Sequence, residues 1–140
     1  MRIAVGGLHI LGTERQGHGI LISRDGIVLT VGYLITEATE VWIKLADGRV
    51  VPGHVLGFDQ DTGLGLVQAL ARITVPYLEL GDSDTAITGT DVIVAGAGGE
   101  NEMVEARIVG RREFAGYWEY LLDDAIFTAP AHKNWGGTAV

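Results

Sequence analysis

Apolar positions along this chain come in short runs cut by turn signals, with no sustained helical spacing. Ile20-Leu21-Ile22 is followed by Ser23-Arg24-Asp25-Gly26 and then at once by Ile27-Val28-Leu29-Thr30-Val31. Asp-Gly between two β-rich runs predicts a tight hairpin. Residues 41–45 and 50–57, joined through Asp47-Gly48, predict a second hairpin. Further strands are expected at residues 64–70, 75–80, 92–96, 103–109 and 117–122, with room for one helical turn in 32–39. Residues 1–16, interrupted by Gly6, Gly7 and Gly12, read as an arm or a strand. Strands recurring every ~8–12 residues without a long amphipathic helix predict an all-β sandwich or barrel.

Composition sharpens this picture in two ways. The 21 glycines against 3 prolines suit a chain rich in tight turns. A net charge of −8, with no basic run longer than Arg111-Arg112, gives little to neutralise a phosphate backbone, so no nucleic-acid partner is expected. The absence of cysteine removes disulfides, thiol nucleophiles and zinc thiolates. No apolar run reaches the ~20 residues of a membrane-spanning helix. Residues 1–10 are too short an apolar stretch for a secretory signal.

The order of motifs resembles the HtrA/DegP branch of the trypsin-like serine proteases. Gly17-His18-Gly19-Ile20 stands where that family has Gly-Ser-Gly-hydrophobic, and Val28-Leu29-Thr30-Val31-Gly32-Tyr33-Leu34-Ile35 where it has Ile-Leu-Thr-Asn-x-His-Val-Val. Asp47-Gly48-Arg49, Gly63-Leu64-Gly65-Leu66-Val67 (for Asp-Leu-Ala-Val-Leu), Leu80-Gly81-Asp82-Ser83-Asp84 and Gly89-Thr90-Asp91-Val92-Ile93-Val94-Ala95-Gly96 follow in family order. Lys133-Asn134-Trp135-Gly136-Gly137 has the outline of the nucleophile loop, Gly-Asn-Ser-Gly-Gly. The resemblance implies two Greek-key β-barrel lobes: an arm or strand at 1–16, a first lobe at 17–74 and a second at 75–140. It also implies that the second lobe is truncated at its C-terminus, because the family's last strands follow the nucleophile loop.

It further places the three catalytic positions at Tyr33, Gly63 and Trp135. A serine oxygen attacks only when a histidine takes its proton and an aspartate orients that histidine. A phenol is a poor base near neutral pH, glycine has no side chain, and indole does not attack a carbonyl. Lys133 replaces a glycine that helps turn a main-chain N–H into the oxyanion hole. No other constellation takes over. Ser23 and Ser83 are the only serines, and both belong to turns. His9, His18, His54 and His132 lack metal-ligand spacing, so neither metal nor cofactor is expected. Asp82/Asp84 and Asp123-Asp124 read as solvated turn acids, and His132 as a solvent-facing loop residue.

The expectation is therefore an inactive peptidase homologue that binds a peptide or protein. Candidate contacts are Trp135, Lys133, Asn134, His132 and Tyr33, with Trp135 either filling the vacated site or anchoring a partner. An unpaired sheet edge is the surface for strand addition or for self-association. The rivals are an active serine endopeptidase with another site and a purely structural module. By resemblance, the compartment is periplasmic or otherwise extracytoplasmic.

Overall fold

The computed structural model describes residues 5–10, 13–96, 102–117, 120–133 and 136–140. Six strands, β1 (Val5–Ile10), β2 (Thr13–Leu21), β3 (Ile27–Val31), β4 (Glu40–Lys44), β5 (Val50–Asp59) and β6 (Leu64–Ala69), close into an antiparallel barrel. Their order is β1-β2-β3-β6-β5-β4, and β4 returns to β1 through pairs such as Gly7 with Trp42. Of the segment expected as an arm or a strand, the described residues 5–10 and 13–16 are strand and lie within the barrel wall.

Alternation explains the inward set. Along β4, Val41 and Ile43 are buried while Glu40, Trp42 and Lys44 face outward. Val28, Leu21, Leu45, Val51, Val67, Ala69 and Ile73 join them in one core. Thr30 is the polar member of the inward face of β3. Its hydroxyl donates to the His18 carbonyl at 2.8 Å, so its burial leaves no donor stranded.

Strands β7 (Asp91–Ala95), β8 (Met103–Ala115) and β9 (Leu121–Ala129) form a separate three-stranded antiparallel sheet. Two expected strands differ from the sequence reading. Residues 75–80 join no ladder. Pro76 has no N–H to give, and Leu78 N donates to Leu21 O at 2.8 Å. The strand expected at 117–122 begins only at Leu121, as β9, after Gly116 N donates to Tyr120 O at 2.9 Å; Trp118 and Glu119 lie outside the described residues. Alternating apolar residues fix a face but carry no mark of where the chain reverses. Ile20, Leu78 and Met103 pack around Ala95 and Ala139, which joins the second sheet to the outer wall of the barrel.

Candidate functional site

Tyr33 sits in the short 3-10 turn Gly32–Leu34, and two barrel glycines position that turn. A Cβ on Gly17 would lie 2.3 Å from Leu34 Cδ1, and one on Gly65 would lie 2.5 Å from Ile35 Cδ1. Both distances are inside contact range, so the missing side chains are the sockets into which Leu34 and Ile35 plug. Arg15, on β2, adds a polar clamp. Its guanidinium donates to the carbonyls of Tyr33 and of Thr36, the latter at 3.3 Å. The turn is thus held from below by packing and charge-assisted hydrogen bonds.

Gly63 reaches the same place from the β5–β6 turn. Gly32 N donates to Gly63 O at 2.7 Å, tying the two positions together. Gly63 has φ +70, a conformation that favours glycine. A Cβ there would also lie 2.7 Å from Cγ and Cδ1 of Tyr120. The tyrosine ring therefore occupies the ground where a side chain at position 63 would begin. Its other end meets Gly116, where a Cβ would come within 2.0 Å of Tyr120 Cζ. Leu121 N donates to Asp61 O at 2.9 Å, so a main-chain bond fastens the hairpin tip to the barrel.

The turn carrying Gly63 is braced by Asp59. Its carboxylate accepts from Thr62 Oγ1 at 2.7 Å and from Asp61 N at 3.3 Å, while Gly63 N donates to Asp59 O at 2.9 Å. The Thr62 hydroxyl first, and the Asp61 amide second, hold the Asp59 carboxyl below the usual carboxylate range.

The loop outline at the C-terminal end meets the first motif of the chain. His18 N donates to Gly136 O at 3.0 Å, and Gly137, at φ +82, comes so close to His18 O that a Cβ there would stand 2.3 Å away. A Cβ on Gly136 would lie 3.5 Å from the Tyr33 hydroxyl. Positions 33, 63 and 136 thus converge. Asn134 and Trp135 lie outside the described residues, as do Trp118 and Glu119.

Two neighbours of that loop take other places than the sequence suggested. His132 is not a solvent-facing loop residue; it is 3% exposed. Its Nε2 lies 2.6 Å from Glu102 O, an acceptor, so the ring proton sits on that nitrogen. The His18 ring meets it edge-on with centroids 6.3 Å apart, and Gly96 leaves room for both. Burial follows because the ring finds a carbonyl and an aromatic neighbour, neither visible in local sequence. Lys133 is exposed and reaches Glu102 Oε1 at 3.3 Å.

Ser23 Oγ accepts from Ile27 N at 3.3 Å, and Ser83 O accepts from Arg111, so each is tied into a turn. Asp82 caps the Ser83–Thr85 turn through Asp84 N at 3.0 Å, and Asp124 pairs with Arg111 at 2.6 Å. Among the described residues, no group of three or more His, Cys, Asp or Glu could hold a metal ion, and no helix is long and apolar enough to cross a membrane.

The trypsin-like peptidase domain model matches residues 17–138. The chain belongs to that family. A putative serine protease, HhoB, of a Synechocystis species is 36% identical over 83 residues, which is 59% of this chain and 20% of that protein. The chain spans about a fifth of the length of the curated relatives it matches. Among solved structures, the active form of the Rv3671c protease from M. tuberculosis superposes with TM-score 0.73 at 19% identity, covering 97% of this chain and 63% of that one. The HtrA-type protease AlgW with a decapeptide gives TM-score 0.69 at 23% identity, covering 91% and 40%. These likenesses establish the fold: a nearly all-β, trypsin-like domain with HtrA-type relatives.

Sequence reasoning missed Gly116 and Arg15, and it read Tyr120 as part of a possible aromatic surface without placing it against Gly63. Tyr120 had a partial signal, since a glycine at an expected acid position leaves a volume that some large side chain must fill. Nothing local said which one. Arg15 carried no signal at all.

Proposed function

We propose that this chain is a catalytically silent trypsin-like domain that binds peptides. The observation that carries the reading is the Tyr120 ring lying over Gly63. By the motif resemblance, position 63 corresponds to the acid that orients the base, and here it lacks a side chain and the space for one. Tyr33 stands at the base position, and a phenol does not take protons from a serine near neutral pH. Trp135 stands at the nucleophile position and has no attacking oxygen. Each loss removes a group on which the other two depend.

Peptide capture is supported by two features. Among the described residues, β9 pairs only with β8, and β7 has no second neighbour except the Ala95–Ala139 bridge. Such edges accept an extended segment by main-chain hydrogen bonding. The structural neighbour AlgW was solved with a decapeptide. Lys133, Asn134, His132, Trp135 and Tyr33 remain candidate contacts, with buried His132 acting through the loop it anchors. The same edges suit a second copy of the chain.

A fluorophosphonate probe with a casein digestion assay tests the silence, and the expected result is no labelling and no cleavage. Stoichiometric labelling overturns the reading. Trp135→Ser alone is expected to remain inactive; hydrolysis by that single variant would show that positions 33 and 63 have been misassigned.

A further inference from the structure

The cavity above the converged positions is lined largely by aromatic rings. It encloses about 310 Å³ and is walled by Tyr33, Tyr117, Tyr120 and Phe58, with Gln60 and Thr36 at its polar margin. Three of the four aromatic rings are phenols, which combine a π face with a hydroxyl acceptor. Phe58 is about half exposed and Tyr117 fully exposed, so the rings are open to a ligand.

Exposed acids adjoin lining residues in the sequence, and one cation is fixed to the main chain of the lining. Gln60 lies between Asp59 and Asp61, and Glu37 follows Thr36; all three acids are exposed. Asp59 keeps its negative charge through the Thr62 and Asp61 hydrogen bonds. Arg15 directs its guanidinium to the main-chain oxygens of Tyr33 and Thr36, two of the lining residues. The chain as a whole carries −8.

We infer that this cavity takes the cationic side chain of a bound peptide, arginine or lysine, between the rings of Tyr33, Tyr117, Tyr120 and Phe58. The inference rests on the peptide-binding reading and adds a side-chain preference to it. A cation over aromatic faces is attracted by the ring quadrupole, most strongly where water is partly excluded. Asp59 and Asp61 flank the lining residue Gln60 in the sequence, and the field of an acidic protein steers basic ligands inward. The recognition lies on the face of the cleft toward the hairpin tip, and it needs no hydrolytic group.

The test uses the 140-residue chain and two blocked pentapeptides, Ac-Ala-Ala-Arg-Ala-Ala-NH2 and its citrulline analogue, which keeps the shape and removes the charge. Two-dimensional NMR titration follows the amides of Gly32, Gln60 and Gly63. The arginine peptide is expected to shift these amides and to bind on the order of tenfold more tightly than the citrulline peptide. Tyr117→Leu and Phe58→Leu are each expected to lower that ratio severalfold. Tyr117 is solvent-exposed, so its variant tests recognition without disturbing the core. Equal binding of the two peptides, or shifts confined to β7 and β9, overturns the cationic assignment while leaving peptide binding intact. If neither these nor a random decapeptide mixture binds, both readings fall.

Discussion

The barrel and the three-stranded sheet solve the same problem of unpaired strand edges in different ways. The barrel closes on itself, β4 returning to β1, and buries Leu21, Val28, Val41, Ile43 and Val67 in one interior. The β7–β9 sheet stays open among the described residues. It depends on Ala95, Ala139 and the barrel residue Ile20 for much of its apolar contact. The difference teaches which region carries the candidate site. Both Tyr33 and Gly63 sit on the self-sufficient barrel, where Gly17, Gly65 and Arg15 hold the Tyr33 turn. The open sheet contributes Tyr120, whose ring lies against Gly63.

The largest expected effect breaks the barrel side of that comparison. Ile43→Ala empties a fully buried position and is expected to cost about 2–5 kcal/mol in chemical denaturation. A loss below about 1 kcal/mol would mean the barrel core does not carry the stability assigned to it. Next comes the contact between the two regions. Gly63→Asp places a side chain at φ +70 and into the Tyr120 ring, for an expected cost of about 1–3 kcal/mol. Combining it with Tyr120→Gly should give a non-additive result, since the two residues share one volume. Simple additivity would separate the ring from position 63.

A smaller effect is expected at the support beneath the C-terminal loop. Thr30→Val removes the donor to His18 O and should cost roughly 1 kcal/mol. It should also broaden or shift the amide resonances of His18 and Gly137, and unchanged resonances would argue against that linkage. The smallest effect concerns pH. The folded carboxyl of Asp59 lies below its unfolded value, so its contribution is complete above the unfolded pKa and fades as pH falls through the folded one. In acid, the Thr62 and Asp61 resonances should titrate together, and Asp59→Asn should abolish that shared transition. Independent titration would dissolve the brace assigned to the Gly63 turn.

Much of the barrel was legible in the sequence because its signals are local. Asp25-Gly26 and Asp47-Gly48 fix two hairpins within a few residues of the strands they join. Alternation in residues 40–44 states which side chains face inward. The second sheet was less legible. The run from Tyr117 to Tyr120 alternates like a strand, yet β9 begins only at Leu121, after the main-chain bond from Gly116 to Tyr120. His132 looked like a surface loop residue because its carbonyl partner, at Glu102, is remote in the chain.

By itself, the sequence determined the β-rich class and the family resemblance, and it supplied the proposal that Tyr33, Gly63 and Trp135 stand where a serine peptidase keeps its reacting groups. These follow from residue type, short spacing and motif order. Only the tertiary structure decided that Tyr120 covers Gly63, that Arg15 clamps the Tyr33 turn, that His18 receives the Gly136–Gly137 loop, and that four aromatic side chains share one cavity. Each is a contact between segments distant in the chain, within the barrel or between the barrel and the residues that follow it. Packing between segments selects such contacts, and no local pattern of residues records them.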